Sequence, residues 1–335
     1  MLAHVNNNTP FPYFAFEKLG YLNEHWFTVI IKATCDIDPL TGSCKFSDEQ
    51  LPIVMADKYR TTPENSSLIM ETDLVFHKPR GEFYLIGTAR TLDGQAAPQW
   101  ECGFTFGTLQ KKLTLSGPRY WEYQGDWQLT EPLPITALPL IYEQAFGGKN
   151  HESLDYPENP IGLGWYDTTK LDTTHRYAAP QISYPLSSNI LTTIETPWPV
   201  AGFGLYSRWW RQRLQYAGTY DDMWLNETHP YYPFDFKYDF LMGTPIDQQQ
   251  IYFNGDEILT LKGLFAETPE VTLALPKIGF AAEQRVPNQP NSRHKLCLDT
   301  VCVSLDERKL YLTWRYSQTA LQAETSLELD AYKLP

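Results

Sequence analysis

Val301-Cys302-Val303-Ser304-Leu305-Asp306-Glu307-Arg308-Lys309-Leu310-Tyr311-Leu312-Thr313-Trp314-Arg315-Tyr316-Ser317 reads as a β-hairpin. An apolar run from Val301 to Leu305 leads into the polar turn Asp306-Glu307-Arg308-Lys309. Successive strand side chains point to opposite sides of a sheet. After the turn, Leu310, Leu312, Trp314 and Tyr316 therefore fall on one face, and Tyr311, Thr313, Arg315 and Ser317 on the other. Leu327 and Leu329 alternate with Ser326, Glu328 and Asp330 in a last strand.

Working outward, the same signals recur. Residues 26–35 are rich in Val, Ile and Thr, and the turn Asp38-Pro39-Leu40-Thr41-Gly42 folds them back on Lys45-Phe46. Residues 68–75, 83–89, 100–106, 112–115, 257–264 and 271–275 are further strand candidates, separated by Gly and Pro. Three helices are expected, all short. Residues 138–146 have Pro139 at the start and Gly147-Gly148 at the stop. Residues 219–228 have Thr219 as cap, with Tyr220, Trp224 and Thr228 on one face and Trp224 as a core anchor. Residues 235–242 supply the third. The expected architecture is mainly β: an antiparallel sandwich or barrel-like single domain spanning 1–335. No repeat or low-complexity linker divides it.

Composition agrees. Of 335 residues, 42% are hydrophobic, 14% aromatic and 20% charged, and there are 25 prolines, which suits a soluble, strand-rich chain. The net charge of -13 repels phosphates and anionic lipid, so neither nucleic acid nor membrane is an expected partner. No segment has the pattern of an export signal or a bilayer span, and a cytoplasmic location is expected. Cys35, Cys44, Cys102, Cys297 and Cys302 include no C-x-x-C pair and read as free buried thiols.

Catalytic and cofactor motifs are missing. Gly147-Gly148-Lys149-Asn150 lacks the first glycine and the hydroxyl residue of a phosphate-binding loop, and there is no G-x-S-x-G elbow or H-E-x-x-H helix. The seven histidines lack metal-ligand spacing. No catalytic, cofactor or metal residue is assigned. Carboxylates between Asp221 and Asp239 lie among Trp224, Tyr231, Tyr232, Phe234, Phe236 and Tyr238, a composition that also suits a carbohydrate hydrolase or glycan-binding protein. The bland alternative is a helix N-terminus with packed aromatics.

Residues 147–204 are rich in Pro, Asn, Thr and Tyr without periodicity: either a long surface wrap or a functional excursion. At their end, Trp198, Phe203, Tyr206, Arg208, Trp209, Trp210, Arg211 and Arg213 form the densest group of the residue types that dominate protein interfaces. The tryptophans fit a core equally well.

Several segments in order carry a resemblance. They are Ile31-Lys32-Ala33-Thr34; Ser66-Ser67-Leu68 with Glu71-Thr72-Asp73-Leu74 and Lys78-Pro79-Arg80; Tyr142-Glu143-Gln144-Ala145-Phe146-Gly147-Gly148; and Asn159-Pro160-Ile161-Gly162-Leu163-Gly164. Pro199-Val200-Ala201-Gly202-Phe203-Gly204 and Ala217-Gly218-Thr219-Tyr220-Asp221-Asp222-Met223-Trp224-Leu225 follow, then Pro233-Phe234-Asp235-Phe236 and Asp247-Gln248, and finally Gly255-Asp256-Glu257, Gly263-Leu264 and Leu275-Pro276. Over about residues 26–315 the chain resembles the bacterial family catalogued as domain of unknown function 2169. One departure is Gln212, where proline is expected before an arginine. The resemblance implies a non-enzymatic adaptor or chaperone of a type VI secretion system. Such a protein binds a toxic effector, often through a PAAR-type spike tip, and loads it onto the VgrG spike. The expected partners are therefore the effector, the PAAR-type tip and VgrG.

Overall fold

The computed structural model describes residues 4–185, 193–319 and 325–335. The described residues are mainly β, with several sheets and no closed barrel among them. The central sheet runs in the order Gln249–Gln250, Gly81–Ile86, Cys297–Ser304, Lys309–Thr319, His25–Asp38 and Tyr13–Leu19, and Ser43–Phe46 also pairs with His25–Asp38. Its hairpin is the one read from sequence, with Ser304 opposite Lys309 and Val301 opposite Leu312. Most pairs are antiparallel. The exceptions are Gly81–Ile86 against Cys297–Ser304, His4–Asn7 against Ser326–Lys333, and Phe146–Gly147 against Leu163–Gly164, all parallel.

A five-stranded sheet runs Ile182–Ser183, Leu109–Ser116, Gln99–Phe106, Ile258–Lys262 and Glu270–Ala274. A four-stranded sheet runs His4–Asn7, Ser326–Lys333, Ile278–Arg285 and Ser292–Lys295. The three sheets share one core. Val29, Ile31, Leu310, Leu312 and Trp314 come from the first, Phe104 and Leu113 from the second, and Phe280 and Leu329 from the third. Burying such side chains is the main force holding the sheets together, at about 1.5–3 kcal/mol each relative to exposure.

The helix expected over 138–146 is absent. Ala137–Pro139 is instead a strand paired with Thr88–Arg90, and a single 3-10 turn follows at Tyr142–Gln144. Pro139 suits an edge strand as well as a helix start. Gly147 and Gly148 do not stop a helix. At φ +145 and +98 they let the chain run close to the carbonyls of Asn159 and Gly162. Asn159 is fully buried, and its amide donates to the carbonyls of Tyr142 (2.9 Å) and Phe146 (3.0 Å). The helix expected over 235–242 shrinks to a 3-10 turn at Tyr238–Leu241. All five cysteines are free thiols, although Cys44 and Cys297 are only half-buried.

The second face of the central sheet is not solvated. Tyr311, Thr313 and Arg315, placed on the outer face by alternation, are buried, as are Lys32, Thr34, Glu82 and Tyr84 beside them. Segments from 51–80, 203–218 and 236–248 lie across this face. Leu205 joins Leu68, Tyr84, Cys302 and Tyr311 in one apolar cluster. Phe76, Phe236 and Leu241 join Ile30 in another.

Candidate docking surface

A sheet face carrying Lys32, Glu82 and Arg315 can be covered only if each charge finds a partner, because an unpaired buried charge costs several kcal/mol. The covering segments supply partners for Lys32 and Glu82, and the sheet's own Asp299 supplies one for Arg315. Lys32 Nζ lies 2.7 Å from Asp73 Oδ2, which also accepts the Val54 N–H at 2.7 Å. Arg315 donates to Asp299 Oδ2 (2.6 Å), to the carbonyl of Asp73 (3.0 Å) and to that of Val75. Lys78 pairs with Glu82 and donates to Thr300 Oγ1 at 3.2 Å. Glu82 Oε2 accepts the backbone N–H groups of Gly243 (2.8 Å) and Thr244 (3.2 Å).

Glu71 ties this network to Arg208 and Arg213 of the Trp-Arg run. Its Oε1 accepts from Arg213 Nη2 at 2.7 Å and Arg208 Nη2 at 2.8 Å, and Lys78 Nζ lies 3.8 Å from its Oε2. Burial pushes the Glu71 carboxyl up, but Arg213, Arg208 and Lys78 outweigh it and bring it down to about 2. Arg213 also donates to the carbonyls of Phe240 (3.0 Å) and Tyr206 (3.1 Å), and Arg208 to Asp57 Oδ2 at 3.2 Å. The cavity enclosed by Glu71, Asp73, Lys78, Glu82 and Arg315 measures about 10 Å³, the scale of one water, so the cluster leaves no space for a substrate.

The group at 198–213, whose composition suits part of a protein-binding face, is divided between core and surface. Trp198 is buried in a separate aromatic cluster with Trp121 and Phe146, and the Arg119 guanidinium lies 5.0 Å over its ring. Phe203, Trp210 and Arg213 are also buried, with Phe203 packed on Phe104 and Trp210 on Tyr142. Tyr206 and Arg208 are half-buried. Only Trp209, at 36% exposure, and Arg211, paired at 3.1 Å with Glu158, face outward. Arginine beside tryptophan marks an interface hot spot and a buried ion pair equally, and here the second applies to most of the group.

The exposed apolar group lies just beyond. Residues 219–236 leave the body as a short excursion whose helix is little more than a turn: Asp221 Oδ1 accepts the Trp224 N–H at 2.8 Å, and a π-helical turn spans Trp224–Thr228. The cap is Asp221. Thr219 instead donates its N–H and hydroxyl to Asp235, at 2.9 and 2.8 Å, and these bonds lower the Asp235 pKa. Trp224 is half-buried, so it is not the core anchor expected from sequence. Its ring lies 4.8 Å from that of Tyr220 and 5.2 Å from that of His229, and its indole N–H donates to the Tyr231 carbonyl at 2.9 Å.

Around it, Tyr220, Met223, Leu225 and Phe234 are 52–58% exposed. Trp224 lines two grooves. One, about 290 Å³, includes Asp221, Met223, Pro233, Phe234 and Asp235. The other, about 340 Å³, includes Lys18, Tyr220, Pro230, Tyr231 and Tyr232. Single exposed apolar residues need no explanation, but four beside one tryptophan make a candidate interaction surface.

Three of the carboxylates that suggested glycoside chemistry hold structural positions, and Asp222 and Glu227 are exposed. Asp221 caps the turn, Asp235 fixes Thr219, and Asp239 pairs with Arg80 at 2.6 Å. A larger cavity of about 600 Å³ lies against Gln99–Phe106, but Glu101 is the only carboxylate in its lining. Among the described residues, no group of three or more His, Cys, Asp or Glu is placed to hold a metal, and no helix is long and apolar enough to cross a membrane.

Comparison with curated proteins and with solved structures finds no match. A family model does match, over residues 23–315, and its description is an uncharacterised protein conserved in bacteria. The quoted motifs fall at the structural positions just described: Glu71, Asp73 and Lys78 in the buried network, Asn159 and Gly147-Gly148 at the close chain crossing, and Tyr220 to Leu225 on the exposed excursion. On a match covering most of its length, the chain belongs to the DUF2169 family.

Proposed function

We propose that this protein is a non-enzymatic cytoplasmic adaptor of a bacterial type VI secretion system. It holds a toxic effector, through a PAAR-type region where one is present, and delivers it to the VgrG spike. The type VI assignment rests on the family resemblance. The observation that carries the binding role is the exposed group Tyr220, Met223, Leu225 and Phe234, mounted on a scaffold whose own charges are paired internally. A surface that is apolar at its centre and held on a rigid β platform binds with little ordering cost, which favours a protein partner.

The test uses the native bacterium. Tagged full-length chain should co-purify with an effector and with PAAR-type or VgrG protein, and deletion of its gene should remove that effector from the secreted fraction while leaving the spike. Unchanged effector secretion in the deletion strain would contradict the proposal.

A further inference from the structure

We infer that the two grooves flanking Trp224 dock a cationic, apolar segment of the partner protein. This deepens the adaptor reading and rests on it for the partner's identity. The partner chemistry follows from the charge around the grooves. Residues 219–236 hold four carboxylates, Asp221, Asp222, Glu227 and Asp235, and no Lys or Arg. All four carboxylates are exposed, and Asp221 and Asp235 line the groove that Met223 and Phe234 also line. The nearest cation of the second groove, Lys18, is already engaged, donating to the Leu74 carbonyl at 2.7 Å. An incoming segment thus meets apolar walls beside Asp221 and Asp235 in the first groove, and the aromatic rings of Tyr220, Tyr231 and Tyr232 in the second. Apolar side chains seated beside Trp224, with Lys or Arg on either flank, satisfy both features, and aromatic faces add cation–π attraction.

The site is built for a chain rather than a small molecule. The grooves lie on both sides of one indole, so an occupant that fills both must extend across it. Neither wall depends on the buried network. Met223 and Phe234 are each 58% exposed, so they can be altered without opening the core.

The experiment places a photo-crosslinker in the full-length chain (Phe234→p-benzoylphenylalanine) in the native bacterium and sequences the peptide it captures. The expected peptide carries Leu, Ile, Val, Phe or Trp with Lys or Arg close by, and belongs to the effector or a spike protein. The double variant Met223→Ala/Phe234→Ala should co-purify with that protein about tenfold less, with an unchanged Tm. Asp222→Asn/Glu227→Gln should weaken binding more at low salt than at high. No crosslink, a crosslink to an acidic peptide or to a second copy of this chain, or full retention of the partner by Met223→Ala/Phe234→Ala would overturn the inference. Effector and spike proteins retained by the double variant would sink this site but keep the adaptor reading. A cationic peptide from a protein unrelated to secretion would keep the site and sink that reading.

Discussion

The buried face of the central sheet and the excursion at 219–236 both combine charges with aromatics, yet they have opposite fates. On the sheet, Lys32, Glu71, Asp73, Lys78, Glu82, Arg213, Asp299 and Arg315 are buried and paired with one another. On the excursion, the carboxylates and four large apolar side chains stay in water. The first region fixes how residues 51–80, 203–218 and 236–248 sit on the scaffold. Buried ion pairs add little net stability, because desolvation offsets the Coulomb gain, but they penalise any arrangement that leaves a charge alone. The second region is the surface we propose to meet a partner. Buried charge in this fold thus ties the chain to itself, whereas the exposed apolar group with its carboxylates is the surface proposed for a partner.

The largest expected effect comes from breaking the network. Arg213→Ala leaves the Glu71 carboxylate partly unmatched and should destabilise the protein by about 3–5 kcal/mol in urea unfolding. The double variant Glu71→Gln/Arg213→Met should recover part of that loss. A loss below about 1 kcal/mol for Arg213→Ala would mean that the cluster does not pin the covering segments.

Acid should act on the same place. The Glu71 carboxyl is held at about 2, well below its usual value near 4.5, so its stabilising contribution is complete above pH 4.5 and disappears as the pH falls from there towards 2. Over that window the wild type should lose on the order of 3 kcal/mol that Glu71→Gln does not lose. Parallel acid titrations of the two proteins, followed by near-ultraviolet circular dichroism, check this.

Trp224 tests the boundary between the regions. Because it is half-buried, Trp224→Ala should cost about 1–2 kcal/mol rather than the larger loss of a core tryptophan, while abolishing partner binding. At the small end, Trp209→Ala should cost about 1 kcal/mol through lost packing on Trp210, and Arg211→Ala less than about 0.5 kcal/mol because its ion pair with Glu158 lies at the surface, and both should leave binding unchanged. Thermal melts with a binding assay separate these outcomes.

Much of the β framework was legible in the sequence because period-two alternation needs only local information. The hairpin Cys297–Ser304 with Lys309–Thr319 and the long strand His25–Asp38 fall where alternation and turn chemistry put them. The second face of the same strands was not legible. Lys32 and Arg315 look like surface residues, and their partners Asp73 and Asp299 come from other strands and loops. Local helix signals failed at residues 138–146, where pairing of Leu138 with Ala89 outweighs what Pro139 and Gly147 suggest. The Trp-Arg run at 198–213 had an interface composition, but composition does not record burial. One signal did point to the exposed excursion: Met223 and Leu225 cannot share a helical face, so a short helix there cannot bury both, and neither is buried.

The most direct test of the account is hydrogen exchange on the full-length chain, free and in complex with the effector it co-purifies with. The account predicts new protection concentrated in residues 219–236, and no change in the already protected strands Gly81–Ile86 and Lys309–Thr319. Protection confined to residues 198–213, or absent from 219–236, would contradict it.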